Sequence, residues 1–426
     1  MSWFSSSSSS SGPNIHPVQS AFDTQALYGK LTPQDNEWLC PGGIATETQV
    51  FYATLKDGSY LMAQVIHSSV GLLWPNIQFT FRHCDGKGAN TWKSVTVSNF
   101  KTAPSAKLDK RSCKSDQFSI TIDPATPNKI TVEGKYDDDV QVSLVFEQLA
   151  PGFKVGNGPK GGFTYFGQQT GKNSAGDAPN TVAGADGYAV HRFWPRCKVS
   201  GILRSGASVT DLDDARGCFI HAIQGLRPNL LAARWNFANF QTVGDDDQDG
   251  VALIMMEFTT TPQYGSKVVN VGAVVVGDKL VSVTAGGSDV TGGSSATHQN
   301  LVKDAETDYE APGTIKYVWD GAALEGEGAD LKPVEGANSK VHAVLVEELL
   351  ESAEGYKTRG LVEKVDVLGQ IPYLIRKFVN YAAGTKPYIY TWLNPVKASI
   401  TLGNGTETKT IDASGFLFNE ATFISK

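Results

Sequence analysis

The chain has 426 residues, 41% of them hydrophobic, which is enough for a sizeable core and favours two domains over one. The formal net charge is −7 and Lys and Arg form no clustered stripe, so nucleic acid and anionic membranes are discounted as partners. Five widely spaced cysteines without a CxxC pair predict reduced, intracellular thiols rather than a disulfide framework or a zinc site.

The N-terminal residues 1–15 contain a run of Ser and are predicted to form a disordered tail. Ser offers no apolar face and competes with helical hydrogen bonds, so this stretch can neither pack nor hold a helix. It lacks the basic and apolar regions of a secretion signal, and no later segment is apolar for long enough to cross a bilayer. We therefore expect a cytoplasmic protein.

Short runs rich in Val, Ile, Thr and Phe alternate with Gly-containing turns, a pattern typical of an all-β protein. Six runs predict the strands of a first β-domain: 46–55, 59–69, 76–84, 116–124, 129–136 and 140–149. A passage rich in Gly, Asn, Ser and Ala at 167–187 then interrupts the pattern, and a strand pattern restarts at 191–203. We place the boundary there, with a first domain at 16–190 and a second at 191–426.

The second half of the chain continues the strand pattern and adds one predicted helix. Strands are predicted at 252–260, 267–285, 314–321 and 398–412. From Leu368 onward the apolar residues follow helical spacing, with Pro372 in the first turn and Gly384 placed as a C-cap. We expect this helix to pack across a sheet or a barrel mouth rather than to anchor the chain in a membrane.

Two motif matches are set aside as loops. The stretch GNGPKG at 156–161 fits G-x-G-x-x-G, but it contains a Pro and lies in no βαβ unit. The stretch DDDQDG at 245–250 imitates the start of an EF-hand loop, but the twelfth position is Met256, so it predicts a solvated acidic turn. Neither a G-x-S-x-G elbow nor an H-E-x-x-H helix occurs, so hydrolytic chemistry has no local signature.

The informative residues are polar and aromatic side chains inside apolar strands. In the strand-like stretch 233–241, Arg234 and Asn236 share one face, while Trp235 and Phe237 share the other with two amides. The same kind of residue recurs at His67, His191, Arg192, Trp194, Arg196, His221 and Gln224.

Such groups cost about 1–3 kcal/mol each when buried without a partner, so each must be bonded within the fold or face a cavity. A structural role is the simpler interpretation for any single residue, whereas a ligand pocket becomes competitive for the whole cluster. Arg192 and Arg234 could equally pair with Glu257 or Asp320 as struts between the domains. We expect the strand at 233–241 to separate a core from a cavity.

Several long motifs resemble the fungal survival factor one family of oxidative-stress survival proteins. They include AQVIHSSVGL, HRFWPRCKVSG, GCFIHAIQGLRPNLLAARWNFANFQ, MEFTTTPQYGSKVVNVGAVV and the terminal FNEATFIS. The resemblance runs from about Thr46 to the C-terminus and implies two lipocalin-like (calycin) β-barrel domains that bind a hydrophobic molecule. Members of this family are regarded as cytosolic carriers of ceramide-type sphingolipids between endoplasmic reticulum and Golgi, held on membranes by an N-terminal amphipathic helix.

This sequence departs from the family pattern at its N-terminus. Trp3, Phe4 and a Ser run replace the amphipathic helix and present no apolar face to a membrane interface, so we expect no stable membrane association. The passages 167–187 and 326–340 also look unlike the carrier. These differences indicate a diverged paralogue.

The hypothesis that we favour from the sequence is a pericyclase, similar to the lipocalin-like fungal enzymes that direct Diels–Alder and hetero-Diels–Alder reactions. It would need no cofactor and no metal. A pocket that holds a polyene or terpene beside an enone or quinone methide can lower the activation barrier substantially by orienting the two reactants. A donor from His221, Arg234, Asn236 or Tyr264 would polarise the heterodiene oxygen. The predicted ligand-binding residues are His67, Arg192, Trp194, Gln224, Trp235 and Trp392.

The alternative hypothesis is a ceramide carrier that uses the same pocket. Its acyl chains would contact the apolar walls, and the polar cluster would hold the amide-diol head group. The fold cannot choose between the two hypotheses. Under either one, we expect the ligand to bind between the two β-domains rather than deep inside one barrel.

Overall fold

The computed structural model describes residues 14–69, 75–103, 108–168, 185–244, 250–288, 293–328, 330–336, 339–351, 356–370 and 386–424. Within these ranges the chain forms two large antiparallel sheets and a few short helices, which confirms the predicted all-β class. Most of the predicted tail, nearly all of the acidic turn at 245–250 and most of the predicted helix from Leu368 to Gly384 lie outside the described residues.

The first sheet contains the strands of residues 15–224, and every strand predicted between 46 and 149 is present in it. Its strands are Ile15–His16 (β1), Tyr28–Lys30 (β2), Thr46–Thr54 (β3), Tyr60–Ser68 (β4), Asn76–Cys84 (β5), Asn90–Thr96 (β6), Lys101–Thr102 (β7), Cys113–Lys114 (β8), Phe118–Thr121 (β9), Lys129–Lys135 (β10), Val140–Gln148 (β11), Phe153–Val155 (β12), Phe163–Phe166 (β13), Gly187–Ser205 (β14), Ser208–Asp211 (β15) and Ala215–Gln224 (β16). The main path through the sheet runs β6-β5-β4-β3-β16-β14-β11-β10-β9-β8-β7.

The second sheet contains strands of residues 232–423 and runs β20-β19-β18-β17-β30-β29-β27-β24-β21, with β28 beside β29. The strands after β16 are Ala232–Gln241 (β17), Val251–Thr260 (β18), Val268–Val276 (β19), Lys279–Gly287 (β20), Ser295–Gln299 (β21), Val302–Lys303 (β22), Glu310–Ala311 (β23), Thr314–Ala322 (β24), Leu324–Glu325 (β25), Lys332–Pro333 (β26), Lys340–Glu348 (β27), Leu361–Asp366 (β28), Tyr388–Gly403 (β29) and Thr408–Phe423 (β30). Strands β22 and β23 form one separate ribbon, and β25 and β26 form another.

The helical segments within the described residues are short. Pro228–Leu231 (α1) connects the two sheets, and Val367–Gln370 (α2) follows β28. In the part of the chain that the structure describes, 3-10 turns cover Val18–Ala21, Pro33–Asn36 and Pro262–Tyr264.

The two sheets divide between Gln224 and Ala232, at α1. The boundary predicted at residues 190 and 191 falls inside β14, which belongs to the first sheet. The passage 167–187 lies between β13 and β14, and these strands pair with each other. A Gly- and Ser-rich connection between paired strands has the same composition as an interdomain linker.

Each sheet encloses its own aromatic core. In the first core, the rings of Phe51 and Phe219 stack with their centroids 5.0 Å apart. In the second core, Tyr390 and Trp392 stack at 5.7 Å. Each aromatic side chain buries a large apolar surface area, and these rings fill the interiors of both barrels.

A third aromatic group joins the two sheets. Tyr52 of β3 stacks on Phe237 of β17 with ring centroids 5.2 Å apart, and Tyr60 of β4 stacks on Phe418 of β30 at 4.2 Å. We call Tyr52, Tyr60, Phe237 and Phe418 the interface stack. All four side chains are buried, so the stack holds the two sheets in direct contact along one line.

Two buried arginines cross from the first sheet to the second. Arg196 of β14 is only 1% exposed, and its Nη1 donates to Gln241 Oε1 at 2.9 Å and to the Val251 carbonyl at 3.2 Å. Arg82 of β5 donates to Thr391 Oγ1 at 3.0 Å and to Glu363 Oε2 at 2.7 Å. A buried guanidinium must keep its acceptors, so these contacts fix the relative position of the sheets.

A buried carboxyl group lies inside the second barrel. The side-chain amides of Asn394 and Asn419 donate to Glu347 at 2.9 and 2.7 Å. Burial raises the pKa of Glu347 to about 7, although the two amide bonds oppose that shift.

We expect Arg196→Leu to lower the free energy of unfolding by about 2–4 kcal/mol, because it removes a buried donor from acceptors on the other sheet. Arg204 lies on the same strand and is exposed, so Arg204→Leu should change stability by less than about 0.5 kcal/mol. Equilibrium unfolding in urea measures both changes. Equal losses in the two variants would contradict the role of Arg196.

We expect the contribution of Glu347 to stability to fall as the pH rises from 5 to 8. The folded pKa of Glu347 lies above its unfolded value, so the folded state binds more protons in this range and loses that advantage on ionisation. The contribution is up to about 3 kcal/mol. The difference in stability between wild type and Glu347→Gln, measured by thermal unfolding, should shift in favour of the variant as the pH rises across this range; a difference that does not change with pH would be inconsistent with a raised pKa.

Candidate ligand-binding site between the two sheets

A cavity of about 370 Å³ lies between the two sheets, within the size range of small-molecule sites. The first sheet lines it with Thr48, Val50, Tyr52, Gln64, His191, Ile220, Ala222 and Gln224. The second sheet lines it with Trp235, Phe237, Met256, Ile389, Glu420 and Thr422, and Ile424 follows β30. The remaining wall residues are Arg227, Pro228 and Asn229 near α1, together with Val367 and Pro387.

Strand alternation explains which side chains reach the cavity. On β16, Ile220 and Gln224 face the cavity, whereas His221 points to the opposite side. On β17, Trp235 and Phe237 face it, whereas the next residue on the other face, Ala238, belongs to the second core. Strand β17 therefore separates a core from a cavity, as its two-faced pattern predicts.

The cavity has two distinct ends. Glu420 pairs with Phe237 across β17 and β30, which places it at the end bordered by the interface stack. Ile424 lies four residues further along, roughly 13 Å away in an extended chain, beside α1. Pro228 of α1 lines the cavity and is solvent-exposed, so the cavity reaches the surface at this second end.

His191 and Glu420, both in the cavity wall, have pKa values shifted toward their neutral forms. Burial lowers the pKa of His191 to about 4, so its imidazole is neutral at neutral pH. Burial also raises the pKa of Glu420, and the positive charge of Arg82 opposes that shift. Both groups can therefore exchange hydrogen bonds with a bound molecule in a largely apolar surrounding.

The structure brings two of the ten predicted site residues into this cavity, Gln224 and Trp235. Gln224 projects from the end of β16 and Trp235 from the start of β17, so both lie close to α1. His191, which the same sequence pattern singled out, also lines the cavity.

Two other predicted residues, Arg192 and His221, belong to a buried charge cluster in the first domain. The Nε2 atom of His221 lies 2.8 Å from Glu47 Oε1, and its Nδ1 lies 3.2 Å from the Asp35 carbonyl oxygen. Arg192 donates to the same carbonyl, and Lys154 Nζ contacts Asp35 Oδ1 at 2.7 Å. Burial opposes ionisation of Asp35, but the bond from Lys154 and the nearby Arg192 charge outweigh it and hold the Asp35 pKa below its usual value.

The remaining predicted donors also lie away from the cavity wall. Asn236 points into the second barrel, where its amide donates to Glu257 at 3.2 Å. Arg234 is exposed, with its guanidinium carbon 5.7 Å from the Phe423 ring centroid. Tyr264 donates to Asp186 Oδ2 at 3.0 Å, and burial together with this bond raises its pKa.

The predicted struts between domains are wrong. Within the described residues, Glu257 accepts hydrogen bonds from the amides of Asn236 and Asn270, and Asp320 Oδ2 lies 3.1 Å from His342. Both carboxylates thus have partners inside the second sheet. Arg192 meets Asp35 instead, because the sequence-distant Pro33–Asn36 turn folds onto β14.

The other three predicted residues are packing residues. His67 is buried with its ring 5.8 Å from Phe100. Trp194 packs edge-on against Phe219 in the first core and borders a separate open groove. Trp392 is fully buried, and its Nε1 donates to Thr358 Oγ1 at 3.0 Å.

Sequence reasoning missed Glu420 as a cavity residue. It is the lone charged side chain in the apolar stretch 416–424, which pairs along its length with strands of the second sheet. A single acidic residue in such a strand carries the same buried-polar signal that identified the residues around 221–241.

In the described part of the chain, no group of three or more His, Cys, Asp or Glu side chains could hold a metal ion. None of the described helices has the length and hydropathy of a membrane span.

We expect Trp392→Ala to lower the free energy of unfolding by about 3–5 kcal/mol, because it empties a fully enclosed core position. Trp235→Ala should lower it by less than half as much, since Trp235 is partly exposed and borders existing space. Urea denaturation distinguishes the two cases. A larger loss for Trp235→Ala would show that this side chain is part of a core rather than a cavity wall.

Comparison with known proteins defines the family of this chain. It is 32% identical to the ceramide-binding protein svf1 of Aspergillus fumigatus, over 94% of this chain and 92% of that protein. It is 33% identical to the ceramide-binding protein SVF1 of Debaryomyces hansenii, over 97% of this chain and 94% of that protein.

A solved structure of similar fold was also found. The crystal structure of CghA with Sch210972 superposes with a TM-score of 0.52 at 13% identity, covering 97% of this chain and 98% of that chain. This likeness concerns the fold alone, and the predicted lipocalin-like class is confirmed.

The sequence profile of the Svf1 family matches residues 2–425. The similarity therefore begins well before Thr46, where the motifs had placed its start. The predicted family is confirmed: the chain belongs to the Svf1 family.

Proposed function

We propose that this protein binds a ceramide-type lipid in the cavity between its two sheets and carries it through water. The observation that carries the proposal is the cavity itself, an apolar space with a few polar groups in its wall. The relatives named as ceramide-binding proteins align with nearly the whole chain, so both sheets that build the cavity have counterparts in them.

The chemistry of the wall suits an amphiphile with an amide and hydroxyl groups. Ile220, Met256 and Ile389 offer apolar contact to an acyl chain, whose removal from water is favourable. Gln224 and His191 offer hydrogen bonds to polar head-group atoms that would otherwise be buried without partners. Because the cavity reaches the surface at Pro228, a chain longer than the cavity can extend beyond it.

The barrel interiors are poorer places for such a lipid. The first is filled by the aromatic core around Phe51 and by the charge cluster around Asp35. The second is filled by Tyr317, Trp319 and Trp392, all of them fully buried. Close-packed interiors leave no space for an acyl chain without large rearrangement.

The pericyclase hypothesis would use the same cavity, but its four predicted donors lie elsewhere. Gln224 or His191 would have to polarise the heterodiene beside Trp235. The names of the relatives favour the carrier, and catalysis is therefore kept as an outcome of the test.

We expect Ala222→Trp to weaken binding of a fluorescent short-chain ceramide by at least about tenfold, because the larger ring occupies the cavity. Val209 is 63% exposed and does not line the cavity, so Val209→Trp is the matched control and should bind like wild type. A fluorescence titration measures both affinities.

Two outcomes would contradict the carrier. The first is equal ceramide affinity in wild type and Ala222→Trp. The second is a wild type that ignores ceramide but changes the stereoisomer ratio of products formed from a quinone methide and a terpene, which would support the pericyclase.

A further inference from the structure

Glu420 is the acidic residue of the cavity wall. Its neighbours on the paired strands are Phe237 and Thr391, so its carboxyl group projects from the middle of a sheet rather than from a loop. The ring of Tyr52 is adjacent in the cavity wall. Burial and the negative charge of Glu420 both raise the pKa of its hydroxyl. The carboxyl group therefore lies at the end of the cavity beside Tyr52 and Phe237 of the interface stack.

Within the described residues, the Glu420 carboxyl makes no hydrogen bond. The nearby cation is Arg82, but its two terminal nitrogens already donate to Thr391 and Glu363. The Glu420 side chain is half-buried, so a carboxyl group beside aromatic rings and without its own donor is only partly hydrated there. A ligand that brings donors to this point supplies the missing hydrogen bonds.

We propose that Glu420 selects the head group: it accepts hydrogen bonds from the hydroxyl and amide N–H donors of an uncharged lipid head group, which enters the cavity first. The acyl chains then extend toward α1, where Ile389 and Ile424 form apolar walls and Pro228 opens to solvent. This inference rests on the proposed function and assigns the residue that gives it selectivity.

The same placement disfavours anionic lipids. A phosphate or carboxylate head group beside Glu420 would either repel its charge or force it to bind a proton. Burial raises the pKa of Glu420 and so already disfavours its ionised form, and a second negative charge adds to that penalty. Arg227 also lines the cavity, but it lies with Pro228 at the α1 end and cannot compensate a charge at the interface stack.

The test compares ceramide with ceramide 1-phosphate in competition against a fluorescent ceramide on the full chain. We expect wild type to prefer ceramide, and Glu420→Leu to bind ceramide about tenfold or more weakly, since it loses hydrogen bonds to a carboxyl group. Glu420→Gln keeps the shape and an acceptor oxygen, so its preference for ceramide over ceramide 1-phosphate should fall on the order of tenfold.

Asp412→Asn is the matched control, since Asp412 is an exposed acidic residue on the same strand β30. It should retain the wild-type affinity and preference, and thermal unfolding of every variant verifies the fold. If both Glu420 variants keep the wild-type preference while Ala222→Trp blocks ceramide, the head-group inference is overturned and the carrier stands. If wild type binds no ceramide, the carrier and the inference fail together.

Discussion

The crossing of Arg196 from the first sheet into the second is the contact on which the rest of the structure depends. A guanidinium that is only 1% exposed has to keep its acceptors, and those described here, Gln241, Thr242 and Val251, lie on or beside strands of the other sheet. The sheets can therefore neither slide nor separate without leaving a buried charge unpaired. Together with the interface stack, this contact preserves the space between the sheets.

The space between the sheets is a feature of the two barrels together, and neither barrel would form it alone. Each barrel buries its own aromatic core, and the faces turned toward each other are apolar but do not fit completely. Strand β17 shows the consequence most clearly, because Ala238 packs inside a core while Trp235 borders a cavity. Polar groups such as Gln224 and Glu420 then orient a lipid in this otherwise apolar site and favour one kind of head group over another.

The features that could be predicted from the sequence are those that depend on the local pattern of apolar and polar residues. Alternation predicted the strands and the two faces of β17, and it brought Gln224 and Trp235 to attention. It misjudged His221, because its partners Glu47 and Asp35 are 174 and 186 residues away and nothing local signals such a cluster. Glu420 was overlooked although it carries the same signal, since a single acidic residue near a chain end resembles a surface position.

The most direct test of a lipid site between the sheets is photo-crosslinking with a ceramide that carries a photoreactive group on its acyl chain, followed by peptide mapping of the labelled full chain. The account predicts labels on cavity residues from both sheets, such as Ile220 and Met256. It also predicts that excess unlabelled ceramide removes them. Labels confined to the interior of one barrel, for example at Phe51 or Tyr317, would contradict it.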